Sequence, residues 1–204
     1  MSYWSKYSAY NAGIVETFGK LSSEKFVLVD GGAAGKIFDV FDVAQSVTLA
    51  VRFEPRGKRE LVQSSQEIYI DGGLWSEDSI GNLHVAKDPT TSSICPPNFD
   101  FLNQFNDENG VLPRQTQEII AVPLRSIDSC VSRSEMPSPN FIKLDVHSAE
   151  LPALLGSKNS LESCVGLLVE TWNVEVHKGQ GLHYQIEKFA IENGFEVFDS
   201  VCAA

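Results

Sequence analysis

Two apolar runs joined by a glycine-rich turn constrain this chain more than any other feature. Residues 26–30, Phe-Val-Leu-Val-Asp, lead into Gly31-Gly32-Ala33-Ala34-Gly35, and a second run over 47–53 ends at Phe53-Glu54-Pro55. Apolar, β-branched runs of this length read as buried strands, and the helical pattern between them, 37–45, reads as the crossover of a parallel βαβ unit. Gly32 and Gly35 let the backbone turn tightly and approach a ligand with no Cβ in the way. Glu54, 19 residues beyond Gly35, can accept from both hydroxyls of a ribose. The segment therefore reads as a nucleotide-cofactor pocket. A dinucleotide loop would read G-x-G-x-x-G and turn a helix N-terminus towards a pyrophosphate, but the position of its first glycine is Asp30 here. A carboxylate at that point repels a diphosphate and suits a cofactor that carries an amino group and a sulfonium.

The remaining pattern fits one α/β domain over 1–204, a length that buries a sizeable core. Val15, Phe18 and Leu21 recur at helical spacing, so 1–24 is expected to be a helical extension. Strands are expected at 67–71, 118–122, 141–146, 165–171 and 195–201. Short helices are expected at 59–66, from Ser126-Ile127-Asp128, and from Ala149 to Gly156. A longer amphipathic helix is expected over 181–193, with Leu182, Ile186, Phe189 and Ala190 on one face. Gly72-Gly73 introduces an expected hairpin through 74–86 that turns at Gly81-Asn82. Residues 87–110 are rich in Pro, Thr, Ser, Asn and Asp, and 87–117 reads as a loop-rich insertion or lid.

Sixteen basic against twenty-seven acidic side chains leave a net charge of −11, with no cluster of lysine or arginine. Nucleic acid is not expected as a partner, because neutralising phosphates needs a basic surface. No run approaches a membrane-spanning length, so no membrane contact is expected. The first residues do not read as a secretion signal. Cys95, Cys130, Cys164 and Cys202 form no C-x-x-C pair and read as reduced thiols of a cytoplasmic protein.

Two further segments carry candidate chemistry. Asp71, at the end of the third strand, is placed to accept from an adenine amine with Leu74 and Trp75 on the ring face; it is equally a turn residue before two glycines. Residues 141–151 put Lys143, Asp145 and His147 on one side of a strand that exits towards the cofactor, where ligands of open parallel sheets bind. An imidazole needs little tuning to act as a base near neutral pH, so His147 is the expected base for a substrate hydroxyl, with Asp145 orienting it or the acceptor. The bland alternative pairs Lys143 with Asp145 and makes Ser148 a helix cap. Glu170 closes the next strand in the same layer and is expected to face the substrate. Asp145, His147 and Glu170 offer oxygen and nitrogen donors to a hard divalent ion, but nothing in the pattern requires a metal. His177 and His183 read as surface loop residues.

In this order, the segments Val29-Asp30-Gly31-Gly32-Ala33-Ala34-Gly35, Phe53-Glu54-Pro55, Thr91-Ser92-Ser93 to Pro97-Asn98, Ile127-Asp128, Lys143-Leu144-Asp145, Ala149-Glu150-Leu151 with Leu155-Gly156, and Val169-Glu170 ahead of Lys178-Gly179-Gln180 resemble the FkbM-type methyltransferases. These form a branch of the S-adenosyl-L-methionine-dependent class I superfamily. The resemblance implies a Rossmann-like fold with a mostly parallel central sheet and helices on both faces. It implies methyl transfer to a hydroxyl oxygen of a sugar, glycan or secondary metabolite. It also implies that Asp30, Gly32, Gly35 and Glu54, with the adjoining Gly31, meet the cofactor. Members commonly carry Glu-Gly or Gln-Gly where this chain has His147-Ser148, which makes His147 either a specialised base or a tolerated replacement. The sheet of the superfamily adds a last antiparallel strand beyond the point where this sequence stops, so either the sheet is shortened or the sequence is a fragment. An exposed sheet edge would favour a homodimer. Two other classes compete: a cofactor-binding interaction module without catalysis, and a nicotinamide-dependent oxidoreductase. The second is opposed by Asp30 and by the lack of a Tyr-x-x-x-Lys pair.

Overall fold

The computed structural model of the chain describes residues 24–32, 46–56 and 66–200. The expected helices over 1–24 and 37–45, most of that over 59–66, and Gly35 lie outside the described residues.

Five strands form the central sheet: β1 (Phe26–Gly31), β2 (Thr48–Glu54), β3 (Glu67–Asp71), β7 (Phe141–Leu144) and β8 (Gly166–Val169), in the order β3-β2-β1-β7-β8. Every pairing in it is parallel. Alternation along the strands divides the sheet into two faces. Val27, Val29, Val51, Phe53, Ile142 and Leu144 share one core with Ile127 and Cys130 of α3 (Ile127–Ser132), Ala153 and Leu154 of α4 (Glu150–Leu155), and Ile186 and Phe189 of α5 (His183–Glu192). Leu28, Asp30, Ala50 and Arg52 face the other way and are buried too. This is a Rossmann-like α/β architecture, as the alternating pattern predicts.

A second sheet, in the order β4-β6-β5, stands beside the first. Here the expected hairpin fails. Strand β5 (Ser79–Ala86) runs straight through Gly81-Asn82 and pairs antiparallel with the distant β6 (Thr116–Arg125), while β4 (Gly73–Leu74) pairs parallel with β6. Gly81 is required by packing rather than by turning: a Cβ there would stand 2.6 Å from a methyl of Leu124. Leu83, Val122 and Leu124 form a separate small core with Trp75, Val85, Ile94 and Ile120 around it. Trp75 is thus engaged in that core, not set over the cleft.

The segment between β5 and β6 is folded back on itself. It contains a 3₁₀ turn (Pro89–Thr91), α1 (Phe99–Leu102) and α2 (Val111–Arg114), and Ser93 bridges His84 of β5. Residues 195–200 form no strand: Phe195 packs on the main core, but Val197 and Phe198 are exposed. Their apolar alternation has no neighbouring strand to pair with among the described residues.

Ser126 caps α3 as its sequence position suggests, accepting from the Ser129 N–H. The Asp128 carboxylate then accepts from the backbone N–H groups of Asn159 and Ser160 and from both their side chains, over 2.6–3.0 Å. This ties α3 to the loop leading into β8. Asp128→Ala should lower unfolding free energy by about 1–3 kcal/mol, the cost of orphaning such donors. Urea denaturation of the two proteins measures it, and an unchanged midpoint would remove Asp128 from the framework.

Candidate active site

The parallel register brings the carboxyl ends of all five strands to one edge: Gly31 pairs with Phe53 and Leu144, Glu54 with Asp71, and Leu144 with Val169. A cleft of about 330 Å³ opens there. Its walls include Gly32 after β1, Glu54, Pro55 and Arg56 after β2, Gly73 and Leu74, Pro89 to Ile94 of the segment after β5, and Lys143, Asp145 and His147 at the end of β7.

Gly32 has a φ of +80°, and a Cβ added to it would fall 1.8 Å from the carbonyl oxygen of Asp145. The glycine is therefore fixed by contact between two loops of the chain, in addition to any ligand. Glu54 lines the cleft, with its Oε1 accepting from the Arg56 backbone N–H and Nε, both at 3.0 Å. Arg56 also reaches across to the Pro89 carbonyl at 2.8 Å. Asp71 is exposed at the end of β3 and is not part of the described cleft wall.

Asp30 is placed differently from the sequence expectation. Its carboxylate is 2 % exposed and lies between Arg52, at 3.5 Å, and Lys143, at 3.2 Å, on the sheet face away from the main core. It does not line the described cleft. Strand alternation gives the reason: Asp30 shares its row with Arg52 and Lys143, so a cationic side chain stands on either side of it. Gly31 likewise backs the cleft, packed against Leu74, Leu144 and Val146.

Beyond Leu144 the chain leaves the strand, so the expected alternation through His147 does not continue. His147 and Ser148 both take positive φ, 50° and 88°, a rare conformation for residues with a Cβ. The turn hangs on Glu150, whose carboxylate accepts from the Val146 and Ser148 N–H groups, each at 2.9 Å. Glu150 is 2 % exposed, and burial pushes its carboxyl up to about 7 against the pull of those N–H donors. The turn brings together three of the expected residues. His147 Nδ1 lies 3.8 Å from Glu170, and Nε2 lies 4.0 Å from Asp145. Asp145 also faces Lys143 at 3.7 Å. Burial raises the Glu170 carboxyl, and the nearby Asp145 charge adds to the shift. Ligand atoms of Asp145, His147 and Glu170 all lie within 4.8 Å of one another. Lys143 already supplies positive charge beside this set.

Sequence reasoning missed Glu150 and His177. Ser148 does not cap α4; Ala149 is the N-cap residue, with no side-chain bond. The Ser148 hydroxyl instead meets His177 Nδ1 at 2.6 Å and donates to Gln180 Oε1 at 3.3 Å. His177, expected on the surface, is 3 % exposed, and burial together with the charges of Arg114, His147 and His84 brings its ring down to about 3. No local signal marks it, since Glu175 and Lys178 flank it as in a surface loop. His183, also expected in a surface loop, is half-buried and opens α5, its ring bonded to Thr171.

The parallel sheet in the order β3-β2-β1-β7-β8, with acidic groups and a glycine turn at its carboxyl edge, is the Rossmann-like arrangement of nucleotide-cofactor α/β proteins. The chain matches the family model described as the methyltransferase FkbM domain over residues 36–197, most of its length, and it belongs to that family. Glu54, Asp71, Asp145, His147 and Glu170 fall inside the match; Asp30 to Gly35 precede it. No curated protein and no solved structure matches the chain.

The Glu150 shift has a definite sign. Its carboxyl holds its proton more tightly when folded than at the ordinary value of 4.5, so the stability it contributes is complete below that pH and is lost as pH rises through about 7. Glu150→Gln should remove this part of the pH dependence, flattening the melting temperature between those two pH values. It should also lower stability by about 1–3 kcal/mol, because the amide cannot accept from both N–H groups. Thermal scans across the range test both; a variant profile parallel to the wild type would contradict the assignment.

Proposed function

We propose that this methyltransferase uses S-adenosyl-L-methionine to methylate a hydroxyl oxygen of a small-molecule or carbohydrate acceptor, a sugar, glycan or secondary metabolite, in the cytoplasm. The observation that carries the reading is the division of the cleft. Glu54 and the Gly32 turn stand at the end formed by β1 and β2, and Asp145 and His147 stand at the end formed by β7, with Glu170, just after β8, 3.8 Å from the His147 ring.

The residues present fit the cofactor. Glu54 is an acceptor at the end of β2, where a ribose diol would share or replace its bonds to Arg56. Gly32 leaves backbone open to the cleft, and Leu74 offers an apolar wall. Asp30 acts from behind, by holding Lys143 in place, and Asp71, beside Glu54 in register though outside the cleft wall, is the acceptor proposed for an adenine amine. When bound, the sulfonium supplies an activated methyl group, so the protein's task is to align the acceptor and take its proton.

That task falls to His147. A ring nitrogen of His147 would receive the proton of the acceptor hydroxyl as that oxygen takes the methyl group the donor supplies, leaving the donor as its neutral thioether. Asp145 and Glu170 flank the ring and stabilise the imidazolium that forms.

The competing reading is a module that binds the cofactor without turnover, favoured by His147-Ser148 standing where relatives of the resemblance carry Glu-Gly or Gln-Gly. Two experiments separate them. In calorimetry with S-adenosylhomocysteine, Glu54→Ala should weaken binding by about 10–100-fold, the loss of charge-assisted hydrogen bonds. Unchanged affinity would remove Glu54 from the cofactor site. In a mass-shift screen of hydroxylated acceptors, wild-type protein should add a methyl group, and His147→Ala should lose about 10²–10⁴ in rate while keeping its cofactor affinity. Cofactor binding without transfer to any acceptor would support the module instead.

A further inference from the structure

We propose that the buried Ser148, His177 and Gln180 form a positioning device that fixes the ring of His147 between Asp145 and Glu170. The inference rests on the reading of His147 as the base, and goes beyond it by assigning what holds the base.

Four observations support it. First, His147 and Ser148 are consecutive non-glycine residues at positive φ. Each is a strained backbone that persists only where the surroundings over-determine it. Second, those surroundings are specific. Glu150 takes the Val146 and Ser148 N–H groups, Ser93 donates its hydroxyl to the His147 carbonyl, and the Ser148 hydroxyl joins His177 and Gln180. The last contact uses the side chain that a glycine would lack. Third, Gln180 Oε1 also accepts from the His177 backbone N–H at 2.6 Å, which ties both partners of Ser148 into one rigid loop. Fourth, the cluster is not optimised for stability. His177 Nε2 and Gln180 Nε2 are buried without a hydrogen-bond partner among the described residues, although His177 is 3 % and Gln180 5 % exposed. Buried polar groups left partly unsatisfied are a net cost to the fold. The bonds that the two side chains do make converge on Ser148, the residue next to His147.

The geometry explains the departure at this turn. Ser148 at φ 88° adopts a glycine-like backbone, and the hydroxyl it brings is engaged from the loop before α5. Ser148, His177 and Gln180 touch neither the cleft nor a reacting atom, so they are positioning residues. They act on a ring whose charged neighbours are Asp145 and Glu170, with Lys143 beside Asp145 and Asp88 further out.

The test is the titration of the His147 ring, followed by NMR of the full chain, in His177→Leu and His177→Asn. Leucine removes the bond to Ser148. Asparagine keeps a polar atom near the position of Nδ1 and serves as the conservative rescue. His177→Leu should move the His147 midpoint by about half a pH unit or more, because the ring shifts relative to two carboxylates. His177→Asn should return it towards the wild-type value. An unmoved midpoint in His177→Leu, or equal displacement in both variants, would overturn the proposal. Should His177→Leu not fold, Ser148→Ala cuts the same bond at its other end, with the same shift expected and the same null result decisive. Calorimetry with S-adenosylhomocysteine on the wild type separates the two layers: no binding there would remove the methyl-transfer reading, while the titration would still decide whether the device holds the ring.

Discussion

The structure depends on a contact that only a missing side chain permits. Strands β1 and β7 are parallel neighbours, so the loops that follow them leave the sheet side by side at the same edge. They close backbone to backbone because Gly32 has no Cβ where the Asp145 carbonyl oxygen sits. From that contact follows the placement of Asp145, and from Asp145 the turn that carries His147. The turn at the cofactor end and the turn bearing the candidate base are thus one packed unit. A glycine in such a loop is commonly explained by a ligand that must approach; here the chain itself supplies a sufficient reason.

Charge is arranged around the same unit. The chain is strongly acidic as a whole, yet a buried Arg52 and a half-buried Lys143 stand beside Asp30 in the sheet. Burying an ion is costly unless it is paired; Asp30, together with Glu67 and the Tyr69 hydroxyl, pairs Arg52, and it holds Lys143 on its other side. Lys143 then extends to Asp145 at 3.7 Å and partly offsets the negative charge that Asp145 brings to the cleft wall. Asp30 acts on the cleft through Lys143, at one remove from the solvent-facing surface.

The central sheet was legible in the sequence because parallel, doubly buried strands are continuous apolar runs, and all five stand close to their expected positions. The carboxyl-edge location of Glu54, Asp145 and Glu170 follows from those strands and was legible for the same reason. Three features were not. Gly81-Asn82 carries a strong turn signal, but Leu124 fills the space over Gly81, and a long-range strand pairing overrides the local preference. His177 has loop neighbours typical of a surface, and its burial depends on Ser148, 29 residues away. The left-handed pair His147-Ser148 has no local signature at all: neither residue favours that backbone, and the interactions that impose it come from Ser93, Glu150, His177 and Gln180. Asp30 shows how a correct strand can still mislead, since its end position suggested the cleft while its parity directed it into the sheet.

The segment between β5 and β6 acquires its meaning from these contacts. It forms a wall of the cleft through Pro89 to Ile94, and its Ser93 hydroxyl donates to the His147 carbonyl. Its far end carries Arg114, half-buried with its guanidinium over the Trp172 ring and its charge acting on Glu170. The wall therefore touches the candidate base by a hydrogen bond at one end and the flanking carboxylate by charge at the other. A group pressing on this wall from the cleft would be felt at His147 through Ser93, without any movement of the sheet. The position of this wall and the turn that carries His147 are thus joined through Ser93, and that link, rather than the sheet beneath it, is where this chain differs most from what its strands alone would have indicated.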